Sequence, residues 1–545
     1  MRTRLMAGAV LVATGCTTPN DTERSPSEPR VSTAQSRSLV HEIRQQESAF
    51  ERLAGLVPTS AGFFYDDAGT MTVVVVDLSE APIAEKTALE LVARRIVAAA
   101  DGGFRVPHVR VVKGEYRFVE LAAWRDVVTD QMLGKSGVIL SDLDERSNRV
   151  TVGIDPLRFD EARDFVRARA TESGIPLEAL RIVAESAIHF DDDQCSPEEA
   201  GTIESRYRPL MGGLQLRWPN SSSCATLGFL ATSGSSRYLV TNSHVTGTLF
   251  SIPGTPRVFY QGDSSTFRIG VEAIDPGCYT SCRRAEAALI AIDDSVTADV
   301  GTIARTTFRN SGGGYADYGS KTPDTNNPRF WIYAHAGSIA SGQAVNKVGR
   351  TTGWTWGAVQ QTCTDRAIDD ENNVTRNLKC QFKANYRRKG GDSGSPVFYW
   401  TSGNTVVLAG IHWAGTSDNE AWFSPYTNIE DDLGTLQARY MVGSPSISGS
   451  ISSNYPVISW SATSNATSYR VFRCVDEEGG PNCYMGDEDL GSTTSTSFHD
   501  ITAPIVDSYY GGSSPTGPRI RYIVRAYGND VPSDGSNIVW FSYTP

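Results

Sequence analysis

The sequence predicts a mainly β protein in three parts: an α+β region, a long antiparallel β unit and a small β-sandwich. Composition is the first reason. Hydrophobic residues make up 40% of the 545, 50 residues are glycine, and a chain this long exceeds what one core serves. The second is the stretch from Tyr207 to about Tyr440, where short apolar runs alternate with Gly, Asn and Ser turns. The third is a Gly/Ser/Pro linker over residues 441–448, after which strand-like alternation returns.

Residues 1–16 read as an export signal, with Arg2 and Arg4 before the apolar core Leu5 to Ala13 and then Thr14-Gly15-Cys16. Small residues directly before a cysteine resemble the lipobox of bacterial lipoproteins, which implies Cys16 as the lipid-bearing residue, although Ala13 stands where that family prefers leucine. The expected location is outside the cytoplasm, lipid-anchored at a bacterial cell envelope (outer membrane or surface) or secreted. Residues 17–38 are rich in Thr, Ser, Pro, Glu and Arg and have almost nothing to bury, so they read as a disordered tether.

The α+β part spans residues 39–190. Leu39 to Leu56 has helical spacing. Gly62-Phe63-Phe64-Tyr65, a turn and Met71 to Val76 give a hairpin signal, and Pro82 to Ala100 is a helix candidate. A second strand pair lies at Ser136 to Leu140 and Asn148 to Ile154, before a helix that Asp155 caps and Pro156 opens. The polar seam Asp191 to Glu199 separates this region from the β unit of residues 200–440. Residues 449–545 form the last part, with strands at Val457 to Trp460, Ser468 to Arg473 and Tyr522 to Tyr527.

The formal charge of −12 and the lack of a basic stripe exclude nucleic acid as a partner. Apart from Cys16 the cysteines are Cys195, Cys224, Cys278, Cys282, Cys363, Cys380, Cys474 and Cys483, an even set as disulfides require. The close pairs Cys278/Cys282, Cys363/Cys380 and Cys474/Cys483 suit local bridges, and Cys195 with Cys224 is left by elimination. If they pair, a cut between them leaves the fragments linked; the alternative is two free thiols, with Cys224 buried as a small hydrophobe. No metal is expected: the spacings lack a zinc pattern, and the acidic loop Asp369 to Asn373 lacks the EF-hand glycine.

The chemistry centres on Lys389-Gly390-Gly391-Asp392-Ser393-Gly394-Ser395-Pro396. Glycines allow positive φ and close backbone approach, and amides converging at such a bend can bind an oxyanion. Ser393 is therefore a candidate nucleophile, against the plainer alternative of a Gly/Ser turn. A serine hydroxyl needs a base, and His244, ending the strand-like run Tyr238 to Ser243, is suited to the task. Glu286, at the start of the apolar run Ala287 to Ile290, is the candidate acid, with Asp293, Asp294 and Asp299 as substitutes.

His, acid and Ser in this order, with Leu239-Val240-Thr241-Asn242-Ser243-His244 and the Gly391–Pro396 loop, resemble the chymotrypsin family. Val348 to Gly357 resembles the Gly-x-Thr-Thr-Gly-Trp segment of its bacterial streptogrisin/alpha-lytic branch, and Ala409 to Gly415 resembles its specificity-pocket strand. The resemblance covers the middle part and implies a trypsin-like, chymotrypsin-like double β-barrel. It implies an endopeptidase that needs no cofactor and acts on a protein or peptide substrate. Ser393 would be nucleophile, His244 base and Glu286 orienting acid, with the amides of Gly391 and Ser393 as oxyanion hole and His412, Trp413, Ala414 and Gly415 meeting substrate. Two departures stand out: Glu286 where aspartate is usual, and Val245 where a cysteine usually follows the histidine.

Residues 39–190 loosely resemble the pro-regions of such proteases, which template folding and then occlude the active site. Residues 449–545 resemble a fibronectin type III module, which implies a spacer or a module binding a surface or polymer. Two rival readings are a protease-like binding protein without activity and an esterase on the same triad. His412 reads either as a packing residue or, with Arg387 and Arg388, as a contact for an acidic substrate side chain. His335 has no functional argument.

Overall fold

The computed structural model describes residues 49–93, 109–190, 193–194, 199–218, 223–247, 256–261, 267–277, 283–310, 317–337, 339–369, 374–417, 419–476, 488–511, 513–529, 531–533 and 535–544. The export segment with Cys16, the tether, Cys195, Cys278, Cys282, Cys483 and the acidic loop after Asp369 lie outside the described residues.

Helix Ala49–Leu56 buries Phe50 and Leu53 against the hairpin of β1 (Ser60–Tyr65) and β2 (Met71–Val75). β3 (Val109–Lys113) pairs with β2 in parallel, and helix Ala81–Ala88 buries Ala84 and Ala88 in the same core. A second sheet holds β4 (Val138–Asp144), antiparallel to β5 (Arg149–Ile154), and β6 (Leu180–Ala184), parallel to β5. The Asp155 carboxylate accepts from the Leu157 amide at 2.9 Å and caps the turn that leads into helix Phe159–Glu172. The chain then forms two short strands, β7 (His189–Phe190) and β8 (Asp193–Gln194).

The middle part opens with β9 (Leu210–Gly212) and β10 (Gln215–Arg217). It continues with β11 (Ser223–Thr226), β12 (Phe229–Ser233), β13 (Ser236–Thr241), β14 (Val258–Tyr260), β15 (Arg268–Ile274) and β16 (Ala288–Ile292). Their order is β12-β13-β16-β15-β14-β10-β11. β11 runs into β12 through Leu227-Gly228, so the sheet closes on itself as a barrel. Only glycine fits that bend, because a Cβ on Gly228 would lie 2.6 Å from the Val240 carbonyl and 2.8 Å from that of Gly394.

β17 (Ala298–Ala304) and β18 (Arg329–His335) lead into the second barrel. It is built from β19 (Ala344–Gly349), β20 (Gly353–Asp369), β21 (Thr375–Ala384), β22 (Pro396–Ser402), β23 (Thr405–Ser417) and β24 (Glu420–Pro425). The pairs β19–β20, β20–β21, β21–β24, β24–β23, β23–β22 and β22–β19 complete a ring. Strands end in a closed wall rather than at open edges. Phe229, Leu239 and Ile290 of the first barrel share one core with Phe330, Phe398 and Ile411 of the second.

The β20–β21 hairpin extends beyond its barrel. It pairs with β4, Asp365 opposite Ser141 and Arg366 opposite Leu140, so the N-terminal sheet and the barrel sheet are continuous. The disulfide Cys363–Cys380 crosses this hairpin. Beyond residue 446, strands Ile447–Ser452, Tyr455–Trp460 and Ser497–His499 face a second sheet around Ser468–Asp476 and Arg519–Gly528. Trp460, Tyr469, Val471, Tyr522 and Phe541 fill the space between them, as a sandwich requires.

Candidate active site

Ser393 is fully buried in a tight loop with Gly391 at φ +87° and Gly394 at φ +91°. Any side chain would be excluded at both positions. A Cβ would fall 2.6 Å from Thr351 Oγ1 at Gly391 and 2.0 Å from the Thr226 carbonyl at Gly394. Internal hydrogen bonds use the amides of Asp392, Gly394 and Ser395, which donate to the carbonyls of Lys389, His412 and Asp392. Among the described residues the amides of Gly391 and Ser393 donate to none, so two N–H groups stay available beside the hydroxyl.

His244 lies in the one-turn helix Ser243–Thr246 at the end of β13. Its Nε2 is 2.9 Å from Ser393 Oγ and its Nδ1 is 3.1 Å from Glu286 Oε2. The other carboxylate oxygen, Oε1, accepts the His244 backbone amide at 2.8 Å. One carboxylate thus holds both the ring and the main chain of His244. Its backbone is fixed too: the Glu286 amide donates to Ser424 Oγ and its carbonyl accepts from Asn242 Nδ2. Arg283, itself buried, donates to the carbonyls of Ala285 and Ala287 on either side.

The alternative acids stand elsewhere. Asp293 pairs with Arg268 and Asp299 with Arg329, while Asp294 is exposed. A carboxylate that the sequence reading did not single out, Asp275, accepts from Ser243 Oγ at 2.8 Å and so braces the residue before His244. Burial pushes Asp275 up to about 7, against the pull of Arg283.

Asp392 forms a buried ion pair with Lys347 at 2.9 Å, both side chains fully inaccessible. It also accepts from Thr352 Oγ1 and from the amides of Thr351, Thr352 and Lys389. Burial pushes its carboxyl up, but Lys347 and Thr352 outweigh that and hold it below the usual range. The loop that carries Ser393 is therefore tied down by an internal lysine from β19.

His412, Trp413, Ala414 and Gly415 all lie on β23. β7 pairs antiparallel with that strand, Phe190 opposite Ala414 and His189 opposite Gly415. The Phe190 ring lies 4.6 Å from the His244 ring and 6.1 Å from Trp413. On the other side β8 pairs with β11, Asp193 opposite Cys224 and Gln194 opposite Ser223. β11 borders Ser393, since Thr226 donates its amide to the Ser393 carbonyl at 2.8 Å. The N-terminal region thus ends in strands on both flanks of Ser393.

His412 is fully buried, with Nδ1 3.1 Å from the Tyr386 hydroxyl. Arg387 bonds Asn419 and lies over Tyr318. His335 stacks on Tyr426 at 3.8 Å, and burial pushes it down to about 3, so it is a neutral packing residue. Cys363 pairs with Cys380, as their spacing predicts, and Cys224 and Cys474 are also disulfide-bonded. No group of acidic, His or Cys side chains among the described residues could hold a metal ion.

Two closed barrels with a histidine, a carboxylate and a serine between them define a chymotrypsin-like fold. No family model matches the chain, and no curated protein sequence matches it. Solved structures similar to it include Protease A of Thermobifida fusca, at 19% identity and a TM-score of 0.29 over 42% of this chain and 96% of that one. A glutamic acid specific serine protease described as using a histidine triad in substrate binding matches at 21% identity and a TM-score of 0.28, over 42% of this chain and 100% of its own. A Fn3-like protein of Clostridium thermocellum matches 19% of this chain at 22% identity and a TM-score of 0.15, over 97% of its own length. The fold assignment rests on the strand closure itself.

Proposed function

We propose that the chain is an exported serine endopeptidase whose residues 39–190 serve as a pro-region. The observation that carries this is the position of His244, with one ring nitrogen 2.9 Å from Ser393 Oγ and the other 3.1 Å from Glu286. In this reading His244 Nε2 takes the Ser393 proton as Oγ attacks the substrate carbonyl, and Glu286 steadies the imidazolium that forms. The amides of Gly391 and Ser393 meet the oxyanion. His244 then gives its proton to the leaving amine, and water repeats the sequence on the ester.

A peptide rather than a simple ester as substrate is supported by β23, whose edge holds β7 by strand pairing. That same pairing supports occlusion of the cleft in the uncut chain. Export, anchoring through Cys16 and a surface- or polymer-binding role of the C-terminal sandwich rest on the sequence. Among the described residues no helix is long and apolar enough to cross a membrane.

The test is a fluorophosphonate probe on the purified chain, with the labelled peptide mapped by mass. Labelling at Ser393 that is lost in Ser393→Ala, with an unchanged circular dichroism spectrum, is expected. Labelling on another serine, or none at all after the N-terminal region has been removed, would overturn the reading.

A further inference from the structure

We propose that Gln381 and Ser424 of the second barrel are positioning residues for Glu286: they fix the backbone of the acid that the first barrel contributes, and through it the ring of His244. This rests on the serine-peptidase reading above.

Glu286 stands where no strand ladder holds it, between the isolated bridge at Arg283 and β16. The amides of residues 284–286 turn to side chains instead. Those of Arg284 and Ala285 donate to Asp432 Oδ2 at 2.9 and 2.8 Å, and that of Glu286 donates to Ser424 Oγ at 2.9 Å. The Arg284 carbonyl accepts from Gln381 Nε2 at 2.6 Å and from Asn428 Nδ2 at 2.8 Å. Gln381 lies on β21, Ser424 on β24, and Asn428 and Asp432 on the helix Tyr426–Leu433 that follows. A segment of the first barrel is thus suspended from the second.

Ser424 has one hydroxyl proton, and its direction is set. Phe382 lies opposite Phe423, and Gln381 and Ser424 are the next pair along β21 and β24. A hydroxyl that accepts the Glu286 amide must send its proton elsewhere, and Gln381 Oε1 takes it at 2.8 Å. The carboxamide of Gln381 cannot be turned round, because its nitrogen donates to two carbonyls, that of Arg284 and, at 2.8 Å, that of Lys379. Two carbonyls therefore orient Gln381, Gln381 orients Ser424, and Ser424 holds the Glu286 amide. All three side chains are fully buried, where an unmet polar group is costly.

The other end of this relay is the triad. Glu286 places both carboxylate oxygens on His244, Oε2 on Nδ1 at 3.1 Å and Oε1 on the backbone amide at 2.8 Å. Any shift of its backbone moves both contacts together. Misplacement by about 1 Å costs up to about 100-fold in rate, and one neutral hydrogen bond is worth on the order of tenfold. Loosening the relay should fall between these, short of the roughly 10,000-fold cost of losing the acid's role.

The test measures how fast a fluorophosphonate labels Ser393 between about pH 5 and 9, in the full chain and again after removal of the N-terminal region. Ser424→Ala and Gln381→Met, each with the circular dichroism spectrum of the wild type, should label about 10- to 100-fold more slowly. The acidic limb of their rate profile should move to lower pH, because a displaced carboxylate stabilises the imidazolium less. A purely structural role would lower the profile without moving that limb. Ser424→Thr keeps the hydroxyl and should recover most of the rate. In a Glu286→Gln background Gln381→Met should slow labelling no further, since it acts through the acid. Ser424→Ala removes a single oxygen and carries the test alone if Gln381→Met does not fold. Wild-type rates in Ser424→Ala, an unmoved limb, or losses that add in the Glu286→Gln background would overturn this proposal and leave the peptidase reading standing. No labelling of Ser393 in either form of the wild type would overturn both.

Discussion

Replacing Lys347 by methionine should weaken the protein in a pH-dependent way. The pair Lys347–Asp392 is 2.9 Å apart with both side chains inaccessible, so methionine would leave a buried carboxylate without its cation. Breaking a buried pair on one side costs about 3–5 kcal/mol, which corresponds to a urea midpoint shift on the order of 1–2 M for the barrel. The pH dependence follows from the sign of the shift. In the wild type Asp392 is held below its usual range, so its contribution is present above the unfolded carboxylate range and is lost as pH falls. Without Lys347, burial dominates and the carboxyl moves up. The deficit of Lys347→Met should therefore be widest near pH 8 and narrow toward pH 5, where protonation removes the unpaired charge. Urea unfolding of Lys347→Met in a Ser393→Ala background, followed by circular dichroism at several pH values, measures it. A deficit below about 1 kcal/mol, or one that is constant over this range, would refute the reasoning. Adding Asp392→Asn should return most of the loss.

Glu286→Gln should keep the fold and lower turnover by about three to four orders of magnitude, read from peptide hydrolysis, because an amide cannot stabilise the imidazolium. Asp142, buried where β4 meets the β20–β21 hairpin and bonded to Thr364 and Gln361, is pushed by burial up to about 7, and burial also drives Glu145 upward. Such groups take up protons on docking, so the separated N-terminal region should bind the protease more weakly as pH rises. The dissociation constant should rise by up to about tenfold per pH unit per group between pH 5 and 7 and flatten above 7 for Asp142. Sedimentation across this range checks it, with Asp142→Asn expected to give a shallower slope that Glu145 still carries, and tighter binding at high pH would refute it. A cut between Cys195 and Cys224 should give fragments that part only on a gel with reductant, because Cys224 is disulfide-bonded and Cys195 is the partner left for it; separation without reductant would refute that pairing.

Much of this was legible in the residues, and the exceptions have physical causes. The positive-φ glycines around Ser393 and the strand that delivers His244 are local features, and local features survive in sequence. Lys347 was not legible, since a lysine in an alternating strand reads as solvent-exposed until a carboxylate 45 residues on is folded against it. Asp275 is not legible for the same reason, its partner Ser243 lying 32 residues away in the one-turn helix after β13. Helix Phe118–Gln131 was overlooked because its apolar residues do not line one face, although Leu121 and Val128 are buried.

The seam between β4 and β20 has a bearing on what a freed protease would be like in solution. Removal of the N-terminal region would strip the ladder partner from Asp365 and Arg366 and uncover Trp413 and Ile368, which now pack with Leu140. A bare edge beside apolar side chains is adhesive, a template for any passing strand. The released enzyme would then pair with copies of itself at high concentration, or be recaptured by the fragment it had shed. Shedding would convert a covalent plug into a soluble inhibitor whose strength depends on dilution, so that the enzyme works best where its own product drifts away.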